Sequence, residues 1–184
     1  GEWQITLDVL RDLGLAFCAA LLGIYVLLVG QTGSLVLPLV MMVAIPVTAI
    51  GIFPGFWLIN QLTVGHVEGI ADPTWFTATA MIGMIALAGI VVRNSVILVD
   101  FIEVQLSEGL PIAKAVVEAG AVRLRPILLT ASTSLLGIWV MTLDPVFSGL
   151  AWSFIFGILA STFFTLVVVP LIYYMLNRKR YELV

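Results

Sequence analysis

The sequence predicts an all-α membrane protein with five transmembrane helices and a short amphipathic helix at the cytoplasmic surface. Of its 184 residues, 61% are hydrophobic and only 10% are charged, whereas water-soluble domains have roughly 25% charged residues. The mean hydropathy is +1.17. Five apolar stretches reach the length of about 17–25 residues that a helix needs to cross a bilayer. A chain of this composition cannot cover itself with polar surface, so we predict that it lies in lipid.

The predicted elements follow an external lead-in at residues 1–12, and the remainder, 13–184, forms one transmembrane domain. The second helix contains Pro46 and Pro54 and should be kinked. Pro126 suits the first turn of the fourth helix. The segment NQLTVGHVEGIADPT has no periodicity and reads as a loop. The predicted transmembrane helices are 13–30, 35–59, 75–101, 126–143 and 150–176.

The segment SEGLPIAKAVVEAGAVRLRP lies between the third and fourth predicted helices. Its apolar residues recur at helical spacing, and Lys114 and Glu118 fall elsewhere around the helix. This pattern predicts a short amphipathic helix, residues 108–123, at the inner membrane interface.

The distribution of Lys and Arg predicts the orientation in the membrane, because short cytoplasmic loops are rich in these residues. Two clusters of Lys and Arg lie on the same side of the membrane as the C-terminus, so the C-terminus should be cytoplasmic and the N-terminus periplasmic. An odd number of helices after an external start, without a cleavable signal peptide, suggests a piece of a longer protein. The clustered basic residues are Lys114, Arg123, Arg125, Arg178, Lys179 and Arg180.

Arg93 stands inside the third predicted helix, in the stretch GIVVRNSVILVDF. A charge at this depth usually faces a bundle interior, a water-filled cavity or an ion pathway. Arg93 would then pair with carboxylates on another helix, beside Asn94 and Ser95 and near the helical face of Asp100. Alternatively its side chain extends to the cytoplasmic interface, about 12 Å away. The position favours the first interpretation.

The fourth predicted helix carries a row of hydroxyl side chains. They could relay protons or bond to other helices, although donation to a carbonyl four residues earlier is more common for any one of them. Thr130 lies at a depth that could approach Arg93. The hydroxyl-bearing residues are Thr130, Ser132, Thr133 and Ser134.

The fifth predicted helix has a small residue at every fourth position. Such a ridge lets a neighbouring helix approach closely, so we predict a packing role for it. The residues are Gly149, Ser153, Gly157, Ser161 and Thr165.

Other features indicate neither a metal site nor an enzyme. Cys18 is the single cysteine and lies in an apolar run, where packing is its expected role. Met81 and Met84 could pass soft metal ions, but methionine in an apolar helix is usually packing material. His66 reads as a solvated loop side chain. We expect no cofactor, no nucleic-acid partner and no hydrolytic active site.

Four segments together carry a family resemblance that covers essentially the whole chain. The segments are GEWQITLDVLRDLGLAF, MIGMIALAGIVVRNSVILVDF, RLRPILLTASTSLLG and VVVPLIYYML. With them the sequence resembles the second-half membrane domain of an RND-superfamily efflux permease of the acriflavine-resistance type, which corresponds to the last five helices of a twelve-helix bundle.

The resemblance implies a proton-motive-force-driven exporter of small molecules in the bacterial inner membrane, hence a secondary transporter and not an enzyme. Its implied partners are the missing N-terminal half of the permease, a homotrimeric assembly, a periplasmic adaptor, an outer-membrane channel and membrane lipid. The chain alone would be inactive.

The resemblance also implies roles for individual residues. In the drug-exporting branch, a Lys within a Lys-Asn-Ala pattern occupies the place of Arg93 and interacts with two Asp residues on a first-half helix. Here the pattern is Arg-Asn-Ser, and arginine does not deprotonate, so Arg93 would be an electrostatic partner of a titrating carboxylate. The implied proton-relay residues are Arg93, Asn94, Thr130 and Arg123, with Asp100 and Ser134 as possible support.

Two alternatives to small-molecule export remain open on the sequence. One is a non-transporting membrane scaffold or assembly subunit built on the same half-domain. The other is export of heavy-metal cations by the same fold. The sequence does not name the substrate.

Overall fold

The computed structural model describes residues 2–62, 65–67 and 70–181, and the side chains of 3–62 and 73–178. Five helical segments are long and apolar enough to cross a membrane, which confirms the predicted all-α membrane fold. The elements in chain order are α1 (Glu2–Thr32), α2 (Leu37–Met42), α3 (Ala44–Leu62), β1 (Gly65–Val67), β2 (Ile70–Asp72), α4 (Ala78–Ser107), α5 (Ile112–Trp139), a 3-10 turn (Val140–Leu143) and α6 (Ser148–Tyr181).

The second membrane-crossing segment, Leu37–Leu62, is divided into α2 and α3 at Val43. Pro46 explains the break, because it has no N–H to donate to the carbonyl of Met42. Pro54 lies inside α3, which continues through it. The helix is thus interrupted on the N-terminal side of Pro46, and a kink there stays a prediction.

The segment predicted as a loop between the second and third spans contains an antiparallel hairpin. Its strands pair Gly65 with Asp72 and Val67 with Ile70. The Asn60 side chain joins the two sides of the connection, since its amide nitrogen donates to the Thr74 carbonyl (3.1 Å) and its oxygen accepts from the Thr74 N–H (2.8 Å). The side chain of His66 lies outside the described residues.

Two predicted boundaries differ from the structure. The lead-in at residues 1–12 is helical from Glu2 onwards and belongs to α1. The short amphipathic helix at 108–123 is not a separate element, because one helix runs from Ile112 to Trp139 with Pro126 in its interior. This segment does bury one apolar face, which includes Ile112, Ala115 and Ala119. Pro126 was expected in the first turn of a helix, but it lies inside α5. Membrane helices tolerate a proline where other groups compensate for its lost hydrogen bond.

Helix α6 lies at the centre of the bundle and packs against α3, α4 and α5. Many side chains along α6 are buried, including Ala151, Ile158 and Val169. In contrast, only 6% of the most apolar window of α1 and of α5 is buried within the chain. Most of the surface of these two outer helices is left for lipid or for other protein segments.

Candidate functional site

Arg93 lies at the midpoint of α4, which spans Ala78–Ser107. The helix is longer at its C-terminal end than the predicted 75–101, so the path from Arg93 to that end is about 21 Å at 1.5 Å per residue. Arg93 is exposed on the surface of the five-helix body, whereas Val92 and Ser95 beside it are buried. The length of this path makes extension of the Arg93 side chain to that end of the helix harder.

The predicted relay residues on α4 and α5 line one crevice. The α5 helix returns antiparallel to α4 after the short connection at Leu110, so the middle of α4 faces the first half of α5. The crevice measures about 100 Å³, and we call it the arginine crevice. Its lining residues are Arg93, Asn94, Ile97, Arg123, Pro126, Ile127 and Thr130.

Arg123 is held over an aromatic ring from α4. Its guanidinium carbon lies 4.8 Å from the centroid of the Phe101 ring, a geometry in which a cation is attracted by the negative ring face. The Nε of Arg123 is buried and has no hydrogen-bond partner in the described chain. Sequence analysis did not identify Phe101. Its position could have indicated a role, because Phe101 lies about two turns from Arg93 and the next helix carries Arg123.

The arginine crevice is positively charged, and its described lining contains no acidic side chain. Neither Arg93 nor Arg123 forms an ion pair with a described residue; the ion pairs of the structure include Arg11 with Asp8 and Asp12. Asp100 is exposed on α4, but seven residues of helix separate it from Arg93 by about 10 Å. Asp100 is therefore not a direct partner of Arg93.

Two of the four hydroxyl groups of α5 bond within their own helix. Thr130 Oγ1 donates to the Pro126 carbonyl (2.8 Å) and Thr133 Oγ1 to the Leu129 carbonyl (3.0 Å), which is the local bonding that sequence analysis considered more common. A hydroxyl that donates one bond still accepts others. Thr130 can therefore accept a hydrogen bond at the crevice.

A second, smaller cavity adjoins the arginine crevice where α4, α5 and α6 meet. It measures about 10 Å³, and we call it the junction cavity. Asn94 and Thr130 line both spaces, and Ser134, predicted as a supporting residue, lines this one. The complete lining is Ile90, Asn94, Thr130, Ala131, Ser134, Ile158, Ser161 and Thr162.

The small residues of α6 face its neighbours. A Cβ atom added to Gly157 would collide with Leu87 of α4 and lie 3.4 Å from Ile52 of α3. Ser153 is fully buried. A Cβ atom added to Gly83 of α4 would lie 3.3 Å from the Ser153 Cβ and 3.1 Å from the Leu150 carbonyl oxygen. The ridge members are buried throughout: Gly149, Ser153, Gly157, Ser161 and Thr165.

The remaining candidates do not join this site. Met81 and Met84 are half-buried on α4. Cys18 is exposed on α1 within this chain, and its packing role stays a prediction. In the described part of the chain, no three His, Cys, Asp or Glu side chains are grouped as metal ligands.

The fold and the crevice define a class: a multi-pass helical membrane protein with an arginine site between two of its spans. A model of the AcrB/AcrD/AcrF family matches residues 8–177. The chain belongs to this family of RND-superfamily efflux permeases, which confirms the resemblance noted from the sequence.

The names of individual relatives refer to different properties. The chain is 33% identical over 179 residues to the swarming motility protein SwrC of Bacillus subtilis (94% of this chain, 16% of the relative). It is 33% identical over 165 residues to the cobalt-zinc-cadmium resistance protein CzcA of Cupriavidus metallidurans (87% and 14%). It is 27% identical over 168 residues to the multidrug resistance protein MdtC of Erwinia amylovora (88% and 15%).

The backbone is similar to a crystal structure of a heavy metal efflux pump, with a TM-score of 0.77 and 25% identity over 97% of this chain and 17% of that chain. The chain thus spans about a sixth of the length of the proteins it matches. These similarities agree with membership of the efflux permease family and with a multi-pass membrane fold.

Proposed function

We propose that this chain forms membrane helices of a proton-motive-force-driven exporter, in which Arg93 is the fixed counter-charge of a titrating carboxylate. The observation that carries the proposal is the arginine crevice, where two guanidinium groups meet without an acidic partner among the described residues. Charged side chains within membrane-spanning helices normally pair with one another or face a water-filled cavity. The partner carboxylates would therefore come from another helix of the transporter.

The proposed cycle uses the permanent charge of arginine. An arginine within about 4–6 Å of a carboxylate lowers the pKa of that carboxylate and favours its ionised form. When a proton enters from the periplasm, the carboxylate becomes neutral and its attraction to Arg93 is lost. The helices then rearrange, and release of the proton on the cytoplasmic side restores the pair. Arg93 does not carry the proton, because guanidinium stays charged.

Arg123 has a supporting role in this proposal. Its buried Nε lacks a hydrogen-bond acceptor, and a carboxylate or water entering the crevice would provide one. Asn94 and Thr130 would bond to the same group, since both line the crevice. Phe101 would hold the Arg123 guanidinium in place through its ring face.

The proposed orientation places the N-terminus in the periplasm and the C-terminus in the cytoplasm. In a trimeric permease, as is general for this family, the chain would work with a periplasmic adaptor and an outer-membrane channel. The exposed faces of α1 and α5 would meet lipid or the other membrane helices of the transporter.

The test is proton-coupled efflux by the complete permease in proteoliposomes with an imposed pH gradient. We expect Arg93→Ala to abolish gradient-driven efflux. The control is Arg125→Ala, because Arg125 is exposed on α5 and lies outside the arginine crevice, and this variant should transport normally. Wild-type efflux from Arg93→Ala would overturn the proposal.

Heavy-metal export is a second candidate, favoured by the similarity to CzcA and to the heavy metal efflux pump. The same proteoliposomes distinguish the two, with Zn²⁺ or Co²⁺ as one substrate and a lipophilic dye as the other. Proton flux stimulated by only one of them assigns the substrate class. No stimulated flux and no efflux of either substrate would favour the non-transporting scaffold.

A further inference from the structure

Five polar side chains line the junction cavity, and two of them, Thr130 and Ser161, donate to carbonyls of their own helices. The other three form no hydrogen bond with a described group. The Thr162 side chain is 8% exposed, and neither its hydroxyl nor that of Ser134 bonds to another described group. The Asn94 amide is likewise without a described partner. Three helices thus direct polar atoms into one small space at the middle of the membrane-spanning body.

An empty cavity would leave the Ser134 and Thr162 hydroxyls and the Asn94 amide without a hydrogen bond, which is unfavourable where the surrounding groups are apolar. Empty cavities in proteins are apolar, whereas polar ones of sufficient size contain water with two to four hydrogen bonds. About 10–15 Å³ is enough for one water molecule, and the junction cavity measures about 10 Å³.

The hydrogen-bonding capacities of the lining match one water molecule. Thr130 Oγ1 already donates to the Pro126 carbonyl, so it offers an acceptor. Ser134 and Thr162 can each donate or accept, and the Asn94 amide can do both. A water molecule has two donors and two acceptors, so it can bond to all three helices at once.

We propose that the junction cavity holds one bound water that joins Asn94, Ser134 and Thr162, and thereby connects α6 to the arginine crevice. Asn94 and Thr130 line both spaces, so the water lies directly behind the crevice. Ser134 and Thr162 are then positioning residues for Asn94 and Thr130. Their role in coupling proton entry to movement of α6 rests on the proposed function, whereas the water site itself does not.

The sign of a stability change tests the water site. Thr162→Val replaces a hydroxyl by a methyl group of similar size in the complete permease. If the cavity holds the water, this change removes one of its partners, and we expect a lower midpoint of thermal unfolding in detergent. If the cavity is dry, the change removes an unsatisfied buried hydroxyl, and the midpoint should rise. An unchanged or higher midpoint overturns the proposal.

Matched variants locate the effect. Thr133→Val removes an exposed hydroxyl that bonds within α5, and it should leave the midpoint near that of the wild type. Ser134→Ala should lower the midpoint, and Ser134→Ala combined with Thr162→Val should lower it by less than the sum, because both remove partners of the same water. Strict additivity would argue against a shared water.

Hydroxyl-radical footprinting of the unmodified permease gives a readout that does not depend on folding of a variant. Radicals form from water near the side chains that they label, so Ile158, which lines the cavity and is 4% exposed, should be labelled. Ile155 is 7% exposed on the same helix and lies outside the cavity lining, so it should be protected. Equal protection of both residues overturns the water site, whatever the efflux of Arg93→Ala.

Discussion

The guanidinium carbon of Arg123 lies 4.8 Å from the centroid of the Phe101 ring, and this contact links α5 to the C-terminal half of α4. The ring face attracts the cation and covers one side of it. The rest of the guanidinium borders the arginine crevice. An arginine fixed in this way can meet an incoming acceptor without losing further side-chain freedom, which makes Phe101 part of the site although it does not line the crevice.

We predict that Phe101→Leu reduces proton-coupled efflux while the permease remains folded. Leucine keeps the apolar volume but removes the ring face, and the lost attraction should be about 0.5–2 kcal/mol. Efflux from matched amounts of protein is the measurement. Phe163→Leu is the control, because Phe163 is 65% exposed on α6. Equal efflux from both variants would show that Arg123 does not depend on the ring.

The sequence predicted the proximity of the site residues better than their bonding. Arg93, Asn94, Arg123 and Thr130 were chosen from position and resemblance, and the antiparallel packing of α4 and α5 brings all four to one crevice. The sequence does not determine whether the Thr130 hydroxyl bonds to the Pro126 carbonyl, as it does in the structure, because the direction of a hydroxyl depends on the side-chain rotamer. The contact of Phe101 with Arg123 could not be predicted, because it depends on how α4 and α5 pack against each other.

The fold was predicted to the level of helix number, and the differences lie at helix ends. Pro126 marks a helix start by local preference, yet α5 runs through it from Ile112. The buried residues Ala115 and Ala119 pack inside the protein, and this tertiary packing stabilises the turns before the proline. Local sequence patterns do not contain that contribution.

The contact between α6 and its neighbours gives a second prediction, at Gly157. A leucine there should destabilise the fold strongly, since even the first carbon of a side chain would collide with Leu87; overpacking typically costs about 1–3 kcal/mol. Thermal unfolding in detergent is the measurement. Gly137→Leu is the control, because nothing lies within 4 Å of a Cβ atom at Gly137. A Gly157→Leu variant as stable as this control would mean that the α4–α6 contact is looser than described.

The proposed orientation gives a third prediction, tested by cysteine labelling in intact cells. In a background in which Cys18 is replaced by alanine, a cysteine at Leu143 should react with a membrane-impermeant reagent from outside. A cysteine at Glu108 should react only after the membrane is opened. Both positions are exposed at helix ends, with Leu143 82% exposed and Glu108 capping α4. Labelling of both positions from the same side would refute the order of the spans between them.

The last prediction separates the charge of Arg93 from its shape. Arg93→Lys should retain part of the efflux, because lysine keeps the positive charge but presents a single ammonium in place of the planar fork that contacts a carboxylate with two bonds. Arg93→Ala should have no coupled efflux. Neither substitution should reduce insertion. Lysine has about the same insertion cost as arginine, and alanine avoids that cost of roughly 2.5–3.5 kcal/mol on translocon scales.

The measurement for Arg93 is efflux per amount of protein in the membrane fraction, for wild type, Arg93→Lys and Arg93→Ala side by side. An order of wild type, then lysine, then alanine, at equal membrane abundance, is expected if Arg93 acts through its charge with help from its geometry. If both variants lose all efflux, charge alone is insufficient and the two-bond contact is required. If alanine transports as well as lysine, the guanidinium is not the counter-charge of a titrating group, and its position at the midpoint of α4 needs another explanation.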